Sequence, residues 1–205
     1  MKYILMCNGE NHFDTPKQLW KVWDETIVER TIRLLRENGI EDIYISADDP
    51  RFENLGVKVI KPGETEHKRW IDGAFPILDE PVCYICGDVF FTPDAIKKII
   101  ELQTDDIEFV GTGEPYHEDY YKKWAEPLAF KVVNYKHFRE AIDETRDMFD
   151  KKILKRCISW ELWQVIKKTQ PNEIIQNYTV IHDWSCDVDY PYELEDLKYR
   201  VRMHK

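Results

Sequence analysis

The sequence of 205 residues lacks any apolar run approaching the roughly 18 residues that a membrane-spanning helix needs, so no such helix is expected. Its opening, "MKYILMCNG", has a single lysine and an apolar stretch that stops early at a glycine turn. That is too short for a secretory signal, and a buried strand is expected instead. An even set of cysteines is missing as well. The five present sit mostly in apolar segments, which fits free thiols in a reducing compartment and makes the cytoplasm the expected location. Basic residues are in deficit, with 29 Lys and Arg against 39 Asp and Glu and a net charge of -10. This argues against a nucleic-acid surface, because backbone phosphates would be repelled over much of the molecule. Repeats and low-complexity segments are absent too. At 43% hydrophobic and 33% charged, the composition is ordinary for a soluble globular protein, and the length suits one domain over 1–205.

Cys83 and Cys86 form a CxxC pair, but "VCYIC" has the composition of a strand. Residues three apart on a strand face opposite sides, so a shared metal or a redox pair is not expected there.

The chain alternates strands and helices. "KYILMC" reads as a strand, and "TIVERTIRLLRENG" as a helix with Val28, Ile32 and Leu35 at helical spacing. Thr26 and Glu29 match a capping box, and Asn38-Gly39 a helix stop. "DIYISA" and "VKVI" read as strands, "HKRWIDGAFPIL" as helical, and "PVCYIC" as a strand buried on both faces. Thr92 as N-cap and Pro93 in the first turn open the helix "PDAIKKIIELQ". "IEFVGT" and "PLAFKVVN" read as strands around a long polar loop from Gly113 to Trp124. Two helical patterns, a strand "YTVIHD" and a turn plus helix in "DVDYPYELEDLKYRV" complete the chain. The expected fold is an α/β three-layer sandwich with a mainly parallel, mixed central sheet of the Rossmann-like type. In such sheets ligands bind outside the carboxyl ends of the strands, which draws attention to "NGENHF" and "GDVFF".

Asp88 follows Gly87 at the end of a buried strand, where a carboxylate can hold a hard cation such as Mg2+; a plain Gly-Asp turn is the alternative. Asp187 and Asp189, two apart in an extended segment, point the same way, and Pro191 then opens a helix with Glu193 in its first turn. An acidic helix N-terminus is the alternative there. With Lys17 in the loop after the first strand, these residues outline a metal-assisted phosphate site.

The order of these motifs resembles the nucleotidyltransferases with a GT-A-like fold, which include sugar-phosphate, molybdenum-cofactor and phosphocholine nucleotidyltransferases. "YILMCNGENHFDTPKQL" resembles the family's first strand, glycine-rich loop and Pro-Lys-x-Leu segment. "YICGDVFF" resembles its Gly-Asp metal motif, and "WSCDVDYPYELEDL" its closing Asp-x-Asp-x-Pro segment. The resemblance implies attack by an acceptor phosphate oxygen on the α-phosphorus of a nucleoside triphosphate, with release of pyrophosphate. It implies Mg2+ on Asp88 and Asp189, Lys17 steadying the leaving charge, and nucleotide contacts from Asn8, Gly9, Glu10, Asn11, Lys17 and Gly87. Glu126 in "WAEPLAFKV" resembles the acceptor-binding Glu-x-Pro neighbourhood, although no lysine stands between Glu126 and Pro127.

Trp124, Trp160 and Trp184 lie in segments near the expected acceptor side, and an aromatic cage would suit a choline-like acceptor. Packing in a core or a homodimer interface is the commoner use of tryptophan. His67, His117 and His182 have no metal-ligand spacing. The first loop departs from the family's pattern, with Glu10 in it and no arginine before Arg30. The closing segment has Tyr190 where a capping threonine is usual.

The expected activity is therefore Mg2+-dependent transfer of a nucleotide to a sugar phosphate or phosphocholine-like acceptor, as in polysaccharide biosynthesis. A glycosyltransferase of the same fold would need an Asp-x-Asp pair after the middle strand, where only Asp88 stands. A non-catalytic nucleotide-binding homologue is the third reading.

Overall fold

The computed structural model describes residues 1–8, 13–62, 69–113, 125–171 and 177–203. The chain runs β1 (Lys2–Met6), a 3-10 turn at Lys17–Leu19, β2 (Lys21–Val22), β3 (Glu25–Thr26), α1 (Ile27–Glu37) and β4 (Ile43–Ser46). A second 3-10 turn at Pro50–Asn54 leads into β5 (Lys58–Ile60), α2 (Trp70–Ala74), β6 (Val82–Cys86), β7 (Val89–Phe90) and α3 (Pro93–Glu101). It continues with β8 (Ile107–Thr112), β9 (Pro127–Val132), α4 (Tyr135–Asp150), α5 (Ser159–Lys167), β10 (Thr179–Ile181), β11 (Cys186–Asp187) and α6 (Pro191–Met203).

Seven strands form one sheet in the order β10-β8-β9-β6-β1-β4-β5. All its pairings are parallel except those that β9 makes with β6 and β8. The expected mixed, mainly parallel sheet flanked by helices is therefore present. β1, β4 and β6 are almost wholly buried, as strands covered by helices on both faces must be. In α1, Ile27, Val28, Thr31, Ile32, Leu34 and Leu35 face inward, and α1 packs on α3 while α4 packs on α5. Phe75, Tyr84, Phe109, Phe130, Phe138 and Trp163 interlock under the β6-β9-β8 side of the sheet through edge and tilted contacts.

The expected caps are in place. The Thr26 hydroxyl accepts from the Glu29 amide and the Glu29 carboxylate accepts from the Thr26 amide. Thr92 accepts from the Ala95 amide, with Pro93 at the start of α3. Gly39, with φ of +78°, ends α1 in the left-handed region that disfavours any side chain. Two elements differ from the sequence reading. Within the described residues the helix of "HKRWIDGAFPIL" is only the five residues of α2, because Phe75 leaves helical backbone and Pro76 follows it. Cys186, outside every expected element, and Asp187, at the start of the segment expected as turn plus helix, form β11 against β7.

A second, smaller apolar cluster lies apart from the main core. Val22, Ile27, Phe90, Cys186, Val188, Leu197 and Val201 build it, with Trp20, Trp184 and Leu194 packed around it. It welds the β2–β3 hairpin, the β7–β11 ladder and α6 into one support. Among the described residues no helix is long and apolar enough to cross a membrane.

Candidate active site

After β1 the chain moves outward through β4 and β5, then returns to the other side of β1 for β6. The connections therefore diverge on either side of β1, and a crevice opens outside the carboxyl ends of β1 and β6. Both the first loop and Gly87-Asp88 start at that crevice.

Gly87 is required there by contact. Its amide donates to the Met6 carbonyl at 3.1 Å, and a Cβ on it would stand 2.4 Å from Cys7 Sγ and 2.7 Å from that same carbonyl oxygen. Only glycine lets β6 turn this tightly against the end of β1. The turn delivers Asp88, whose carbonyl accepts from the Val188 amide at 3.0 Å. The ladder pairing Val89 with Asp187 and Phe90 with Cys186 then carries the C-terminal segment alongside. Arg30 braces β7 from α1, with Nε donating to the Phe91 carbonyl at 2.9 Å and the guanidinium 4.2 Å from the centre of the Phe90 ring.

Lys17 meets both acidic segments. It leads the 3-10 turn that Pro16 introduces, and the Trp20 amide donates to its carbonyl at 3.0 Å. Its Nζ lies 2.7 Å from Asp88 Oδ2 and 2.5 Å from Asp189 Oδ1. Burial alone would lower the lysine pKa, but the charges of Asp88 and Asp189 and their hydrogen bonds raise it well above its ordinary value. The ammonium is therefore fixed in its charged form. Below the cluster, burial first and then the Asp88 and Asp187 charges push the Cys86 thiol well up, with Glu126 adding to the same field. Cys86 is consequently a neutral thiol beneath the carboxylates.

Asp189 is held by the start of α6. Glu193, buried in the first turn, accepts from the Asp189 amide at 2.6 Å and the Tyr190 amide at 3.1 Å. This is half of a capping box, so the carboxylate of Glu193 compensates for the missing threonine at Tyr190. Asn8, at the end of β1, donates to Asp48 at 2.9 Å. Arg51, gripped by Asp49, donates to the Asp14 carbonyl at 2.7 Å, so the segment after β4 is tied to the first loop.

The structure thus gathers Lys17, Asp88 and Asp189, with Gly87 beneath them and Asn8 on the neighbouring strand end. Glu126 is buried just before β9, where its amide donates to the Thr112 hydroxyl at 2.8 Å. Trp184 lies against Phe90 at 5.7 Å in the smaller cluster. Trp160 packs on Phe109 at 4.9 Å and on Tyr178 at 5.3 Å. Gly9, Glu10, Asn11 and Trp124 lie outside the described residues. The brace from Arg30 and the β11 ladder escaped the sequence reading, which placed Glu193 in the first turn of the helix but not its hold on the Asp189 and Tyr190 amides; the signal for that hold is its place three residues after Tyr190.

The donors fit a hard cation. Two carboxylate oxygens already share one positive charge, the Lys17 ammonium, and Mg2+ needs only one or two carboxylates besides phosphate and water oxygens. Among the described residues no group of three or more His, Cys, Asp or Glu could enclose a metal. A cation here would therefore depend on oxygens brought by a ligand.

A mixed, mainly parallel sheet flanked by helices gives this chain a nucleotidyltransferase-like fold. Solved structures agree on the fold. CTP:phosphocholine cytidylyltransferase from Streptococcus pneumoniae has a TM-score of 0.55 at 16% identity, over 98% of this chain and 98% of its own. The 4-diphosphocytidyl-2C-methyl-D-erythritol synthase from Anaerococcus prevotii DSM 20548 has 0.57 at 12%, over 98% of this chain and 97% of its own. A homologue of Mycobacterium tuberculosis Rv0371c from Mycobacterium sp. strain JC1 has 0.56 at 15%, over 100% and 98%. No family model and no curated protein matches the chain.

Proposed function

We propose that this protein is a Mg2+-dependent nucleotidyltransferase. It joins a nucleoside monophosphate from a nucleoside triphosphate to a small phosphorylated acceptor, a sugar phosphate or phosphocholine-like compound, and releases pyrophosphate. The observation that carries this reading is the convergence of Lys17, Asp88 and Asp189 on one point at the switch of the sheet. Two of the similar structures named above are a cytidylyltransferase and a diphosphocytidyl-product synthase, which supports the same chemistry.

In the reaction a phosphate oxygen of the acceptor forms a bond to the α-phosphorus, and the bond from that phosphorus to the bridging oxygen of the β-phosphate breaks. No carbon-bound proton moves, so the protein's task is to position the reactants and neutralise charge. Mg2+ bound to Asp88 and Asp189 would offset the negative charge of the phosphates. Lys17, permanently charged, exchanges its carboxylate partners for the departing pyrophosphate oxygens. Asn8 at the end of β1 borders the nucleotide, and Gly87 keeps the crevice narrow. Glu126 and Trp184 are assigned to the acceptor side.

The test is pyrophosphate release by purified protein with Mg2+, each of the four common nucleoside triphosphates and a panel of phosphorylated acceptors. At least one combination should turn over, and Asp88→Ala should abolish it. The reading fails if no combination releases pyrophosphate and Asp88→Ala leaves nucleotide affinity unchanged.

A further inference from the structure

A cleft of about 520 Å3 opens between the β2–β3 turn and the exposed face of α6, away from the crevice of the sheet. Its walls are Lys21, Trp23, Glu195, Lys198, Tyr199 and Arg202. That volume lies within the range of small-ligand sites, about 300–1,000 Å3. The charge is unusual for this protein. Three cations face one carboxylate, and Glu195 is already paired with Lys198 at 2.7 Å, whereas the chain as a whole carries -10. The cleft is therefore a local positive site on a negative molecule, suited to an anion.

Two aromatic rings complete it. Trp23 is 39% exposed and Tyr199 62% exposed, both high for large rings. Trp23 also occupies a costly backbone position. It is the first residue of the two-residue turn between Val22 and Glu25 and has a φ of 65°, whereas Asp24 does not have positive φ. This is the conformation in which two-residue hairpins strongly favour glycine. A bulky side chain held there is strained, and strain of this kind concentrates where a ligand uses it. The Arg202 guanidinium lies 4.4 Å from the centre of the Trp23 ring, so ring and cation are presented together.

We propose that this cleft is a second ligand site, taking a phosphate-bearing compound with a flat ring, of the nucleotide class. Lys21 and Arg202 receive the phosphates, and Trp23 with Tyr199 receives the ring. Both walls run directly into the candidate active site, since β2 follows the turn headed by Lys17 and α6 follows Asp189.

The site can be tested without turnover and so independently of the function proposed above. Calorimetric titration with ADP and CDP in EDTA should show saturable binding, with inorganic pyrophosphate weaker and the uncharged nucleosides weaker still. Trp23→Gly suits the turn and preserves folding; it should weaken the diphosphates at least tenfold and leave pyrophosphate unchanged. Lys21→Glu, at an exposed position, should weaken both by a similar factor. Absence of saturable binding up to millimolar ligand would overturn the proposal. So would nucleoside diphosphate affinity unchanged in Trp23→Gly or in Lys21→Glu.

Discussion

Replacing Gly87 by alanine tests whether the close approach of β6 to β1 builds the site. The new methyl carbon would meet Cys7 Sγ at 2.4 Å, Met6 O at 2.7 Å and Met6 C at 3.2 Å. Comfortable carbon contacts lie near 3.5–4.0 Å. Two of the three neighbours are backbone atoms of a buried central strand, so no rotamer change clears them. The turn must move away, which stretches the 3.1 Å hydrogen bond from Gly87 to Met6. Overpacking of a tight core costs about 1–3 kcal/mol, and the weakened buried hydrogen bond places this case near the top, about 3 kcal/mol. For a chain of this size that corresponds to a fall in Tm of roughly 6–12 °C. Urea unfolding followed by far-UV circular dichroism would measure the free energy. Cys7→Ala in the same background should recover only part of the loss, because the carbonyl remains. Gly39→Ala is the comparison: it has positive φ and open space, so only a backbone cost of about 1 kcal/mol is expected. A Gly87→Ala protein within about 0.5 kcal/mol of wild type would refute the steric account.

Lys17→Met should abolish pyrophosphate release and lower stability by about 1–3 kcal/mol, since two partly buried ion pairs are lost and two carboxylates are left facing each other. Added Mg2+ should raise the Tm of this variant more than that of wild type; equal shifts would count against a cation site at Asp88 and Asp189. The folded pKa of Lys17 is raised, so its contribution is fully present below the unfolded value near 10.5 and is lost only above it. The stability difference between Lys17→Met and wild type should accordingly be flat in chemical denaturation between pH 6 and 9. Thr26→Ala should cost about 1 kcal/mol by removing the cap of α1, measured by the same unfolding; Glu29→Gln retains hydrogen-bonding capacity and should cost less. The buried thiols set an alkaline limit. Burial pushes Cys83 and Cys157 up to about 12, so the unfolded chain loses those protons near its ordinary value of 9 while the folded chain keeps them. Stability should fall as pH rises from about 9 toward 12, and Cys83→Ala should flatten part of that slope.

The relation between sequence and structure is clearest at the caps and the strands. Thr26-x-x-Glu29 and Thr92-Pro93 act through residues three apart, so their roles could be inferred without the fold. β6 announced itself by five consecutive residues that are all buried, and β8 begins and ends where "IEFVGT" does. The acidic segments at Asp88 and Asp189 could be recognised because glycine and proline next to them mark turns. The place of β9 could not be read, because a strand's direction and neighbours depend on contacts far along the chain. The β7–β11 ladder was hidden for another reason: two residues are too few to show a period.

The amino-acid sequence by itself therefore determined the class of the fold, the helix starts, and the chemical identity of the three charged residues. Those properties are local: alternation, capping and the presence of a lysine or carboxylate at a strand end. Only the tertiary structure decided that Lys17 lies within hydrogen-bonding distance of both Asp88 and Asp189, and that Glu193 rather than Tyr190 secures the start of α6. These depend on how a small apolar cluster brings distant segments together, and burial of that cluster is a property of the whole folded chain.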